Sequence, residues 1–247
     1  MTKRWRPMRK LSSWRRISIG MWDAPADPTI YGHEAFDVTD ALPYLEEISK
    51  RAGVKVTPTA LVVKSFADVF AAHPGLNVII VNGRIQERER VDVFCQVAIV
   101  PEAGSADLSG VKLEGVDKMS LVEIATKLQS RAKKVRRGED EDVERTKKTI
   151  SWVPTWMMRW MVRLFDFLTF NVPFDLDGIG VRSDPFGSFM VSSIAPLGLQ
   201  LGYGPLVPAS RCPYVVLPGV TFEAPRVVDG EICVRTVMKV ALSLIHI

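Results

Sequence analysis

Hydrophobic and polar positions alternate in two rhythms along this chain, one of helices and one of strands. Leu42, Leu45, Ile48 and Ala52 recur at helical spacing, and Gly53 follows where a helix would end. Leu61, Val62, Ser65, Phe66, Val69 and Phe70 form a second such face. Thr57-Pro58 opens it, because the hydroxyl caps and proline lacks only an N–H that a first turn leaves unused. His73-Pro74-Gly75 stops it. Ser120-Leu121-Val122-Glu123 is a capping box, opening a helix that runs to Val135 with Leu121, Ile124 and Leu128 inward. An earlier helix is expected over residues 7–22, with Met8, Leu11 and Ile19 on one side.

Between the helical stretches lie strand-like runs. Residues 29–39 read as a strand that enters a helix cap at Asp40. Residues 78–85 form a hairpin about Asn82-Gly83, and residues 227–232 another about Asp229-Gly230. Strands are also expected over residues 91–100, 189–194 and 234–244. Residues 214–217 and 221–222 read as strand on either side of Pro218-Gly219. Interleaved strands and helices indicate an α/β or α+β fold, and the two hairpins make the sheet mixed. No repeat or low-complexity linker divides the chain, so residues 1–247 read as one domain.

Composition narrows the function. Hydrophobic residues make up 47% of the 247, enough to bury a sizeable core. A net charge of +4 suits an anionic small ligand such as a coenzyme phosphate and is too weak to imply nucleic acid. Cys95, Cys212 and Cys233 are far apart and odd in number, which fits neither a disulfide framework nor a zinc site. Reduced thiols in the cytoplasm are expected, and no apolar signal core follows the basic N-terminus. Residues 126–148 carry dense charge of both signs and read as a solvated face. Residues 151–170 hold Trp152, Trp156 and Trp160, with Arg159, Arg163 and Asp166 on one narrow helical stripe. Three charges oppose a membrane span, so this face is expected to bury against the domain or a sister subunit, with weak peripheral membrane contact as the alternative.

A series of stretches runs in order along the chain: Met8-Arg9-Lys10-Leu11, Asp37-Val38-Thr39, His73-Pro74-Gly75-Leu76-Asn77 and the strand Val93–Pro101. Met119-Ser120-Leu121-Val122-Glu123-Ile124, Phe186-Gly187-Ser188-Phe189-Met190-Val191-Ser192-Ser193, Pro218-Gly219-Val220 and Val228-Asp229-Gly230-Glu231 complete it. Together, in this order, they resemble the catalytic domain of the 2-oxoacid dehydrogenase acyltransferases, which shares its fold with chloramphenicol acetyltransferase. Residues 139–180 depart from the family pattern as a divergent insertion containing the tryptophan-rich helix. Lipoyl and peripheral-subunit-binding modules are absent from the sequence, so a stand-alone relative is the expectation.

The resemblance implies a site. In the family a histidine of a His-x-x-x-Asp-Gly motif is the general base for a thiol, and a serine or threonine hydroxyl stabilises the oxyanion. Carried over by position, the hydroxyl is Ser192 and the histidine is His246. Ser193 stands next to Ser192, and strand alternation sends the two to opposite faces. Ile245 and Ile247 replace the family's flanking Asp and Arg, which leaves two readings: a true catalytic histidine with altered flanks, or residues 243–247 as a tail on a truncated chain. His73 reads as a helix stop and His33 as a surface imidazole. The resemblance further implies coenzyme A as a substrate, a possible lipoyl-bearing partner protein, no metal, and a homotrimer whose sites lie between subunits. An acetyltransferase acting on a small-molecule hydroxyl and a non-catalytic trimeric scaffold are the alternatives.

Overall fold

The computed structural model describes residues 28–81, 84–99, 107–137, 160, 163–164, 167–170, 184–207 and 210–245. The expected helix at 7–22, the Asn82-Gly83 turn, most of the 139–180 insertion and His246 lie outside them. Within the described residues the chain forms strand β1 (Thr29–Asp37), helices α1 (Ala41–Ala52) and α2 (Pro58–Ala72), and strands β2 (Val78–Val81), β3 (Arg84–Glu87), β4 (Val93–Ile99) and β5 (Asp107–Leu113). Helix α3 (Leu121–Arg137) and strands β6 (Phe189–Val191), β7 (Tyr214–Val228) and β8 (Glu231–Ile245) follow.

Local chemistry sets most of these boundaries. Thr57 Oγ1 accepts from the Ala60 N–H at 3.3 Å and opens α2 behind Pro58. Ser120 and Glu123 exchange the two bonds of the capping box at 3.3 and 2.8 Å and open α3. Asp40 precedes α1 but its side chain does not cap. Arg235 holds it instead, at 2.9 Å. The expected face of α2 holds in Val62 and Phe70, which are buried, and in Leu61 and Phe66, which pack partly buried against the core; Ala60, Val63 and Ala67 are buried as well, whereas Ser65 and Val69 are exposed.

Six strands form one mixed sheet in the order β1-β8-β7-β6-β4-β5, and β2 with β3 forms a separate hairpin sheet. Only β4-β6 and β6-β7 pair in parallel. Helices α1 to α3 cover one face, with Leu45, Val63, Phe70 and Ile124 packed on Val93, Leu113, Phe189 and Val216. Residues 194–207 and 210–212 cover the other face, where Ile194 and Cys212 pack on Met190, Val215, Leu217 and Ala241.

Three expectations on strands are corrected. β5 had no place in the sequence reading, yet it pairs with β4 over its whole length. β7 is one continuous strand, because a register shift between Pro218 and Thr221 absorbs the irregular Pro-Gly pair. β6 is shorter than residues 189–194 and ends at Val191. In the tryptophan-rich segment, the described Trp160, Leu164 and Phe167 are exposed rather than buried in this protomer.

Candidate functional site

The site is built on the short strand β6. Its entry is fixed by a close approach. Gly187 has φ +73°, and a Cβ there would stand 2.7 Å from Asp92 Cβ and 2.8 Å from the Asp92 carbonyl oxygen. Only glycine combines that conformation with that proximity. Ser188 is buried, its N–H donates to the Asp92 carbonyl at 2.9 Å, and its Oγ accepts from the Asp92 N–H at 3.1 Å. Phe189 then anchors the strand in the helix-side core. Its ring stacks on Phe70 with centroids 5.1 Å apart, worth about 1 kcal/mol beyond the area it buries.

Past Val191 the ladder with β7 continues. The Ser192 N–H donates to the Val216 carbonyl at 2.9 Å and the Ile194 N–H to the Pro218 carbonyl at 3.1 Å. Alternation therefore still holds at Ser192 and Ser193. Met190 and Ile194 pack in the cluster with Cys212, Val215 and Leu217, so Ser192 falls on that face. Ser193 falls on the opposite face with Val191. There, both line a cleft of about 240 Å³ between α2, α3 and the sheet. Val97, Leu128 and Ala132 form its apolar wall, and Thr57 and Gln129 contribute polar edges.

Ser192 is half-buried, and among the described residues no side-chain hydrogen bond engages its Oγ. Its hydroxyl is thus free to donate to a bound group. The histidines are placed less favourably. His33 lies on β1, three strands from β6 in sheet order, roughly 14 Å at the usual strand spacing. Its Nδ1 is 2.7 Å from the Tyr203 hydroxyl. His73 is exposed at the end of α2, where its N–H donates to the Val69 carbonyl at 2.9 Å. Strand β8 is described to Ile245, one residue short of His246.

The sequence reading missed two features. One is the cleft behind Ser193, which alternation alone could have signalled as a second face of the same strand end. The other is an ion network at the entry to β6. The Asp92 carboxylate accepts from Arg90 at 2.7 and 2.9 Å, from the Gly115 N–H at 2.9 Å, and pairs with Lys112 at 3.0 Å. Burial pushes this carboxyl up, and the Arg90, Gly115 and Lys112 hydrogen bonds outweigh it to hold the group below its ordinary value. Arg88 grips Asp184 with two bonds, 2.6 and 3.1 Å, just upstream of Gly187.

The two inner thiols differ from reactive cysteines. Burial pushes Cys95 and Cys212 up to about 12, so neither supplies a thiolate near neutral pH. Among the described residues no cluster of three or more His, Cys, Asp or Glu could hold a metal ion, and no helix is long and apolar enough to cross a membrane.

Known proteins share this architecture. The dihydrolipoamide acetyltransferase of Azotobacter vinelandii superposes with a TM-score of 0.61 at 19% identity, over 90% of this chain and 74% of that one. In that protein the roles of a serine, a histidine and an asparagine in the catalytic mechanism have been investigated. The cubic core of the pyruvate dehydrogenase multienzyme complex gives 0.62 at 18% identity, over 90% and 74% of the two chains. A truncated catalytic core of the 2-oxoacid dehydrogenase multienzyme complex from Thermoplasma acidophilum gives 0.58 at 17% identity, over 98% and 89%. These likenesses establish the chloramphenicol acetyltransferase-like fold expected above. No curated protein matches the sequence. Residues 7–153, more than half of the chain, match the model of the 2-oxoacid dehydrogenases acyltransferase catalytic domain, and the chain belongs to that acyltransferase family.

Proposed function

We propose that the protein moves an acyl group between coenzyme A and a thiol acceptor such as dihydrolipoamide, with Ser192 as oxyanion donor and His246 as general base. A free thiol has a pKa of about 8.5, so only a few per cent is thiolate at neutral pH. A neutral imidazole takes the thiol proton as the sulfur attacks the thioester carbonyl carbon. The new C–S bond forms and the carbonyl electrons move to oxygen. The Ser192 hydroxyl donates a hydrogen bond to that oxyanion. Collapse restores the carbonyl, breaks the old C–S bond, and returns the proton from imidazolium to the departing thiolate.

The observation that carries this reading is the free, half-buried Ser192 Oγ at the end of β6 in a chain of this acyltransferase family. A homotrimer with sites between subunits belongs to the same reading. It is supported by a two-stranded ribbon at the end of β7 and β8, which no third strand joins among the described residues. The net charge of +4 favours the coenzyme phosphates. The three free thiols, Cys95, Cys212 and Cys233, favour a cytoplasmic setting. A lipoyl-bearing protein is the partner that would present the acceptor.

Acyl transfer from acyl-coenzyme A to free dihydrolipoamide tests the reading. Ser192→Ala is expected to lower kcat by roughly 100-fold with KM within about twofold, the signature of a lost oxyanion donor. A folded trimer without turnover on any acyl donor, or an S192A variant as active as the parent, overturns it.

A further inference from the structure

Ser192 has a polar neighbour across the sheet that the chemistry above does not use. The parallel ladder pairs Phe94 with Met190 and Cys95 with Val191, and its next step sets Gln96 of β4 beside Ser192. At the usual strand spacing their backbones are about 4.8 Å apart. On the β7 side the same step sets Leu217 beside Ser192, buried and apolar. Alternation gives the face. Phe94 packs in the cluster of Met190 and Ile194, so Gln96, two residues on, shares the face of Ser192. Cys95 and Val97 turn to the helices, and Gln96 between them borders the helix-side cleft with its main chain.

The direction of the Gln96 side chain within that face is restricted as well. Its partner on the other side is Gly110 of β5. The Phe94 ring lies over Gly110, where a Cβ would collide with it. Phe186 meets that ring edge to face, with centroids 4.9 Å apart, and holds it there. The space on the β5 side of Gln96 is therefore filled, and its carboxamide leans towards Ser192. Gln96 is half-buried, as Ser192 is, and among the described residues no hydrogen bond engages its side chain.

We propose that the Gln96 carboxamide donates a second hydrogen bond to the oxyanion formed at Ser192, so that the two side chains hold the thioester carbonyl oxygen between β4 and β6. The proposal rests on the reading of Ser192 as oxyanion donor. As the sulfur adds to the carbonyl carbon, the carbonyl electrons move to oxygen. A Gln96 Nε2–H and the Ser192 O–H meet that charge, and neither gives up its proton. Hydrogen bonds to an anionic oxygen are stronger than those to the neutral carbonyl, so the gain falls on the transition state rather than on bound substrate. A carboxamide also remains a neutral donor at every pH at which an imidazole acts as base.

Steady-state transfer from acetyl-coenzyme A to dihydrolipoamide by the full chain tests it. Gln96→Met keeps the length of the side chain and removes its donors. It is expected to lower kcat roughly 100-fold and to leave KM within about twofold. Gln96→Glu serves as the second variant. It keeps the shape but sets a carboxylate against the oxyanion, and is expected to lower kcat at least as far, whereas a role in packing alone would survive it. Folding of both variants is checked by circular dichroism. Folded Q96M and Q96E with the parent's kcat, or a loss confined to KM, overturn the proposal, and an impaired S192A measured beside them leaves the reading of Ser192 standing. Impaired Q96M and Q96E beside a fully active S192A uphold the carboxamide as donor and remove Ser192. A folded parent without turnover overturns both.

Discussion

Asp92 shows how a single carboxylate can hold a strand end in place. Its side chain is 7% exposed and is met by Arg90, Lys112 and the Gly115 N–H. The same residue's backbone pairs with Ser188 and leaves no room for a Cβ at Gly187. Asp37 plays a smaller part of this kind on the surface, where the Arg235 guanidinium and the Thr39 N–H lower its carboxyl to about 2. Both carboxyls are depressed in the folded protein, below the ordinary carboxylate value of about 3.9. Their contributions are therefore complete above that value and fade as pH falls through the folded values. Stability from urea denaturation is expected to hold level from about pH 7 to 5 and to decline steadily from about pH 4 towards 2. Asp92→Asn is expected to cost about 2 kcal/mol at neutral pH and to shallow the acid decline. An acid limb as steep in D92N as in the parent would show that other groups carry it.

Among the elements, those with local signals were legible and those made by distant contacts were not. The capping box at Ser120, the Thr57-Pro58 start and the Asp229-Gly230 turn each act within four residues, and the structure has all three. Strand β5 lacked such a signal, since Asp107 to Leu113 mixes charge, glycine and aliphatics and is a strand only because β4 pairs with it. Pro218-Gly219 looked like a break because the bulge that rescues it depends on β8 and on residues 199–200. The Val220 N–H bonds the Leu199 carbonyl at 2.9 Å. The end of the β7-β8 hairpin was legible as a turn but not as an exposed ribbon. Pro225 pairs with Val234 and Val227 with Ile232, and the last three are 72 to 81% exposed on one face. An isolated two-stranded ribbon is marginal in water, and this one carries an apolar stripe in need of cover. Replacing Ile232 and Val234 by Asp is expected to convert the proposed trimer to monomers in sedimentation velocity. A monomeric parent, or a trimer that survives both changes, would dismiss the ribbon as a subunit contact.

At the scale of the molecule, long-range polar ties join parts that the hydrophobic pattern treats as separate. Arg88 bonds Asp184, 96 residues away, and reaches the carbonyls of Val78 and Arg211. Lys112 on β5 bonds the Asp184 carbonyl at 2.8 Å. The small β2-β3 sheet, the main sheet and the segment entering β6 therefore meet at one buried guanidinium, 7% exposed. Nothing near Arg88 or Asp184 in the chain marks this meeting, because the pair forms only when residues 96 positions apart are folded together. The arrangement makes a prediction that separates pairing from packing. Arg88→Met keeps the aliphatic bulk but strands the Asp184 carboxylate without its guanidinium, and is expected to cost about 3 kcal/mol in urea denaturation. Adding Asp184→Asn removes the stranded charge, so the double variant is expected to be more stable than R88M alone by about 1 kcal/mol or more. If the double variant is instead the weaker of the two, the carboxylate is satisfied without Arg88, and the tie between the small sheet and β6 rests on the backbone carbonyls that Arg88 also reaches.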